Sequence, residues 1–77
     1  MEMTLDMIRP GMRALVTDIR VERHLRRRLR DFGLIPGTVV CCRFWSPGEH
    51  VLALELRGSV IAVRRQDARL IRIRMEE

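Results

Sequence analysis

The chain has 77 residues, 47% hydrophobic and 32% charged, the balance of a folded globular protein rather than a disordered tail. Its formal charge is +5 and all 15 basic residues are arginine, which suits nucleic acid, an anionic membrane surface or an acidic protein partner. So short a chain makes one domain over residues 1–77. No apolar run nears the roughly 20 residues of a membrane span, and the N-terminus lacks the apolar stretch of a secretion signal. A cytoplasmic location is expected. Cys41 and Cys42 are neighbours and do not make a secreted disulfide framework.

In chain order, Thr4 to Arg9 mixes apolar and polar residues and ends in the turn Pro10-Gly11. A strand follows over Ala14 to Ile19, rich in β-branched residues but imperfectly alternating. Glu22 to Phe32 predicts the one full helix. Leu25, Leu29 and Phe32 fall within an arc of about 60° at 100° per residue, the expected buried stripe. Arg23, Arg26, Arg27 and Arg30 take the opposite side, and Glu22 stands where the helix dipole favours an anion.

Gly33 fits the left-handed position just past the helix end, and Leu34 the place where a Schellman ending returns an apolar contact. Pro36-Gly37 then predicts a type II turn, with proline pre-setting φ and glycine supplying the positive φ. From Thr38 the period changes to two. Val40, Cys42 and Phe44 are expected inward, with Val39, Cys41, Arg43 and Trp45 outward. After the turn Ser46–Glu49, Leu52, Leu54 and Leu56 alternate as a half-buried strand. Gly58-Ser59 reads as a two-residue hairpin turn. Val60 to Arg65 is the next strand, Gln66 to Arg69 one helical turn, and Leu70 to Arg74 a last strand with Ile71 and Ile73 inward. Five short strands with a helix between the first two predict a small all-β, partly open barrel, since closure removes exposed edges.

The run Arg28-Leu29, Phe32-Gly33-Leu34, Pro36-Gly37-Thr38 and Val40 resembles the signature of the FeoA family, the ferrous iron transport proteins A. Leu5 and Pro10-Gly11 upstream fit that pattern, as do Pro47-Gly48, Gly58, Ile61-Ala62-Val63-Arg64, Ala68, Ile71 and Ile73 downstream. The resemblance implies an SH3-like five-stranded partly open β-barrel with one short helix inserted between the first two strands and a helical turn before the last. It also implies a non-enzymatic cytoplasmic accessory protein of bacterial ferrous iron uptake. Such a protein would dock on the membrane GTPase transporter FeoB at the inner face of the membrane and modulate it. FeoA-like barrels are similar, too, to the C-terminal barrels of metal-dependent repressors, so a metal-responsive regulatory domain is the alternative. The chain holds no DNA-binding helix pair.

Chemistry-bearing residues are sparse. His24, Cys41 and His50 are the candidates for a metal, but none stands at ligand spacing from another, and adjacent strand cysteines project to opposite faces. No cofactor is required, and a bound divalent metal would be adventitious or regulatory. No nucleophile is paired with a base and no glycine-rich phosphate loop exists, so no enzymatic role is expected. Specific nucleic-acid binding is not expected either, because Phe32 and Phe44 are assigned to the core and only Trp45 remains as a stacking platform. A docking surface fits better. Trp45 with Arg43, the segment Leu34-Ile35, and the helix arginines Arg23, Arg26, Arg27 and Arg30 are its candidate residues. The same arginines also read as a plain solvated face, and Trp45 as cover for a barrel edge. Arg28, Leu29, Gly33, Pro36 and Gly37 are assigned to structure. An open strand edge would let two copies pair as a homodimer.

Overall fold

A computed structural model describes residues 2–76. Six strands run β1 (Glu2–Thr4), β2 (Arg13–Ile19), β3 (Val39–Trp45), β4 (Val51–Leu56), β5 (Ser59–Arg64) and β6 (Ile71–Met75). Helix α1 (Arg23–Asp31) lies between β2 and β3, and the single-turn α2 (Arg65–Ala68) precedes β6. All neighbours are antiparallel, in the order β1-β6-β2-β3-β4-β5, so the sheet keeps two edges and the barrel is partly open. The expected fold is present with one strand more. The addition, Glu2–Thr4, pairs with Arg72–Arg74 and is too short to show a period in the sequence. No helix among the described residues is long and apolar enough to cross a membrane.

Apolar side chains from every strand layer meet inside the curled sheet. Leu5, Ile8, Val16, Leu34, Leu52, Leu54, Ile71 and Ile73 are fully buried there. The imperfect alternation of β2 has a cause in its pairing. Its register against β6 shifts between Val16 and Asp18, so Ala14 and Val16 face inward before the bulge and Ile19 after it.

A second bulge corrects the sequence reading of β3. The register against β4 shifts between Cys42 and Phe44, and one extra residue reverses the faces that follow. Cys42 is inward as expected, but Phe44 is 60% exposed, while Trp45 is half-buried. Phe32 is corrected likewise. It is the C-cap of α1 and is 56% exposed, while Leu29 and the returning Leu34 are the residues buried there. The β4–β5 turn is Arg57-Gly58, one residue earlier than read, with Leu56 opposite Ser59 and φ of 50° and 79° at the two turn residues.

The helix-stop-strand unit forms as its residues dictate. Glu22 caps α1, its carboxylate accepting from the His24 and Leu25 amides, and these two bonds hold its pKa below the usual carboxylate range. At the other end the Leu34 amide donates to Leu29 O at 2.9 Å and the Gly33 amide to Arg30 O at 2.8 Å, the paired bonds of a Schellman ending. The Thr38 amide closes the next turn on Ile35 O at 3.1 Å, and Thr38 Oγ1 donates to Gly33 O at 2.8 Å. Gly37 and Thr38 then bond to Val16 of β2, which fixes the unit to the sheet.

Gly33 has φ of +93°, so Gly33→Ala is expected to cost about 1–2 kcal/mol from the left-handed backbone alone. A Cβ there would come 3.0 Å from Arg57 Cδ, a flexible atom able to shift, so backbone strain dominates. Urea unfolding should show a smaller loss for Gly33→Asn than for Gly33→Ala. Equal losses would mean that the contact with Arg57, not φ, sets the cost.

Candidate functional site

Where the carboxylates sit decides which arginines are free. Glu49 accepts from Arg9 at 3.1 Å and Arg65 at 2.7 Å; Asp18 pairs with Arg20, Glu55 with Arg43, and Asp67 with Arg64. Glu22 is used as the helix cap. None of Arg23, Arg26, Arg27, Arg28 and Arg30 has an ion pair among the described residues, and all are exposed. Arg23, Arg26, Arg27 and Arg30 fall on one face of α1 at 100° per residue, and Arg28 stands on its flank beside Leu25.

The other expected docking residues are divided. Leu34 is fully buried and belongs to the core, so it cannot meet a partner, whereas Ile35 beside it is 37% exposed. Arg43 is exposed and bonded to Glu55 at 2.9 Å. Trp45 is engaged by its own chain. Its indole Nε1 donates to Ile8 O at 2.8 Å, and the Arg65 guanidinium lies over the ring at 4.6 Å from the centroid. Arg65 is in turn held by Glu49, through its backbone carbonyl at 2.8 Å and its carboxylate. Trp45 is thus a brace between β3, the Ile8 segment and α2 rather than a free anchor.

Phe44, expected in the core, adds an exposed aromatic to the surface of the sheet. Phe44 lies opposite Ala53, and Ala53 opposite Ala62, while Val60 farther along β5 is 57% exposed. Only the bulge, which has no signature in residue type, turns Phe44 outward.

The metal candidates lie on different elements. His24 is on α1, Cys41 on β3 and His50 between the Pro47–Glu49 turn and β4. Among the described residues no three His, Cys, Asp or Glu side chains form a group able to hold an ion.

The FeoA domain model matches residues 3–75. The chain belongs to the FeoA family. That family is linked to ferrous iron transport. The solution structure of FeoA from Chlorobium tepidum is 30% identical, covering 95% of this chain and 70% of its own, with a TM-score of 0.91. FeoA of Stenotrophomonas maltophilia, solved with zinc, is 23% identical over 96% of this chain and 89% of its own at a TM-score of 0.77. It is described as a prokaryotic SH3 domain protein, and a ferrous iron transport activating role was proposed for it. A manganese-dependent transcriptional repressor shares the fold at 12% identity and a TM-score of 0.86, with 97% of this chain covered but 42% of the repressor. No curated protein matches the chain.

The cysteines of this FeoA differ in environment. Cys42 is 1% exposed and burial pushes its thiol pKa up, whereas Cys41 is half-buried on the opposite face. A thiol-specific dye should therefore label one cysteine rapidly in the folded protein and both after unfolding. Cys41→Ser should abolish the rapid phase; its survival in that variant would mean that Cys42 is reached by opening of β3.

Proposed function

We propose that this FeoA chain is a non-enzymatic docking module of bacterial ferrous iron uptake, which binds the cytoplasmic side of the membrane transporter FeoB and biases it towards one state. The observation that carries this reading is the positive face of α1, where the exposed Arg23, Arg26, Arg27 and Arg30 have no ion pair among the described residues. Such a face favours an acidic protein surface and speeds encounter with it. Modulation then requires different affinities for two transporter states, since equal binding shifts nothing. The test is GTP hydrolysis and iron uptake by FeoB in proteoliposomes, with and without saturating FeoA. A change that is lost in the double variant Arg23→Glu/Arg27→Glu supports the reading. No change at saturation removes the regulatory role.

A second reading is favoured by the exposure of Phe32 and Phe44, which with the arginines could stack on single-stranded nucleic acid. Salt separates the two. Contacts made only to phosphates weaken steeply as salt rises, so oligonucleotide binding retained at about 0.2 M salt and lost in Phe44→Ala would favour that reading.

A further inference from the structure

The two edges of the sheet are unequal. Strand β1 has three residues, whereas β5 has six, reading Ser-Val-Ile-Ala-Val-Arg. β5 carries no proline and no inward-pointing charge, devices that commonly protect an exposed edge. The two-residue turn makes Leu56 and Ser59 the closing hydrogen-bonded pair, so alternation turns the backbone groups of Val60, Ala62 and Arg64 away from β4. The bond from the Arg65 amide to His50 O, 2.9 Å, fits the same register, because it flanks the non-hydrogen-bonded pair Val51 and Arg64. Among the described residues, no backbone group beyond β4 takes up the N–H or C=O of Val60 or Ala62. Both residues are exposed.

A cleft of about 330 Å³ lies between this edge and α1. Leu25, Leu29, Ala62 and Val63 are its apolar lining residues, and Arg28, Arg64 and Asp67 its charged ones. Its volume is at the low end for ligand sites and suits a few side chains. The carboxylate there, Asp67, is bonded to Arg64 at 3.3 Å, which leaves Arg28 uncompensated. Arg57, at the tip of the β4–β5 hairpin, has no ion pair among the described residues either. A second copy seated on β5 would bring the uncompensated Arg28 and Arg57 of both copies together. A strand that carries carboxylates satisfies the same edge without that repulsion.

We propose that β5 receives an extended acidic peptide segment as an added strand, with its alternate apolar side chains in the cleft beside α1. The main chain of such a segment completes the unpaired edge, and the cleft with its arginines selects the side chains. The inference rests on the docking-module reading above and names the chemistry of what docks.

The probe is a blocked peptide of alternating glutamate and valine, titrated into isotope-labelled protein and followed by amide NMR. Its exact sequence is secondary because main-chain bonds supply most of the affinity in strand addition. The expected result is saturable change at the Val60, Ala62 and Arg64 amides, with slowed hydrogen exchange at Val60 and Ala62. Ala62→Pro removes an outward N–H at an edge, where proline is tolerated, and should weaken binding by about tenfold or more. Arg28→Glu, an exposed change independent of strand geometry, should weaken it several-fold.

No saturable change at millimolar peptide overturns the proposal, as do changes confined to Arg23 and Arg27 on the outer face of α1. Concentration-dependent protection of Val60 and Ala62 in the free protein overturns it in favour of a second copy. The transporter reading fails separately: a bound peptide with no FeoB retained from membranes upholds the edge site and removes FeoB as its partner. FeoB retained without peptide binding places the docking face elsewhere.

Discussion

Leu34→Ala is expected to destabilise the fold by about 2–5 kcal/mol, the range for emptying a buried leucine site. A domain of this size has a total stability of only about 4–12 kcal/mol, taking about 0.05–0.15 kcal/mol per residue. The loss is therefore large enough to leave part of the population unfolded. Leu34 is fully buried, and the bond from its amide to Leu29 O holds its backbone in place over the core. Phe32, two residues earlier, is mostly exposed, and Phe32→Ala should change stability by about 0.5 kcal/mol or less. Urea unfolding of the two variants gives the comparison. A neutral Leu34→Ala would mean that the helix-stop-strand unit does not clamp the core.

Trp45→Ala should cost about 3 kcal/mol or more. It removes half-buried packing, the indole bond to Ile8 O and the face on which Arg65 rests. Trp45→Phe keeps most of the packing and loses the donor, with an expected cost of about 1–3 kcal/mol for the unpaired Ile8 carbonyl. The pair of variants separates a brace from a docking anchor. At a temperature where both are folded, Trp45→Phe should retain its partner as well as the parent protein does. Loss of the partner with unchanged unfolding would restore Trp45 to the docking surface.

The parts of the fold legible in the sequence are those fixed by local chemistry. Gly33 and Pro36-Gly37 specify backbone angles directly, and the helix read as Glu22–Phe32 spans Arg23–Asp31 with those two residues as its caps. Leu52, Leu54 and Leu56 alternate cleanly because β4 keeps its face inward along its length. What could not be read depends on partners distant in the chain. A period of two places Phe44 inward, but a bulge that residue type does not announce turns it outward. Glycine signals positive φ and points to a turn at Gly58-Ser59, whereas Arg57 adopts positive φ without any such signal. Trp45 meets Ile8 across 37 positions, so its bracing role lies in the topology. The arginine face of α1 was legible from helical spacing, but the open edge of β5 follows from strand order and was not assigned from the sequence.

The docking account is tested most directly by affinity co-purification of tagged FeoA from nuclease-treated, detergent-solubilised membranes at moderate salt. The account predicts that the FeoB transporter is retained, and that Arg23→Glu/Arg27→Glu releases it while leaving urea unfolding unchanged. Retention of nucleic acid alone, or of nothing, after the salt step would contradict it.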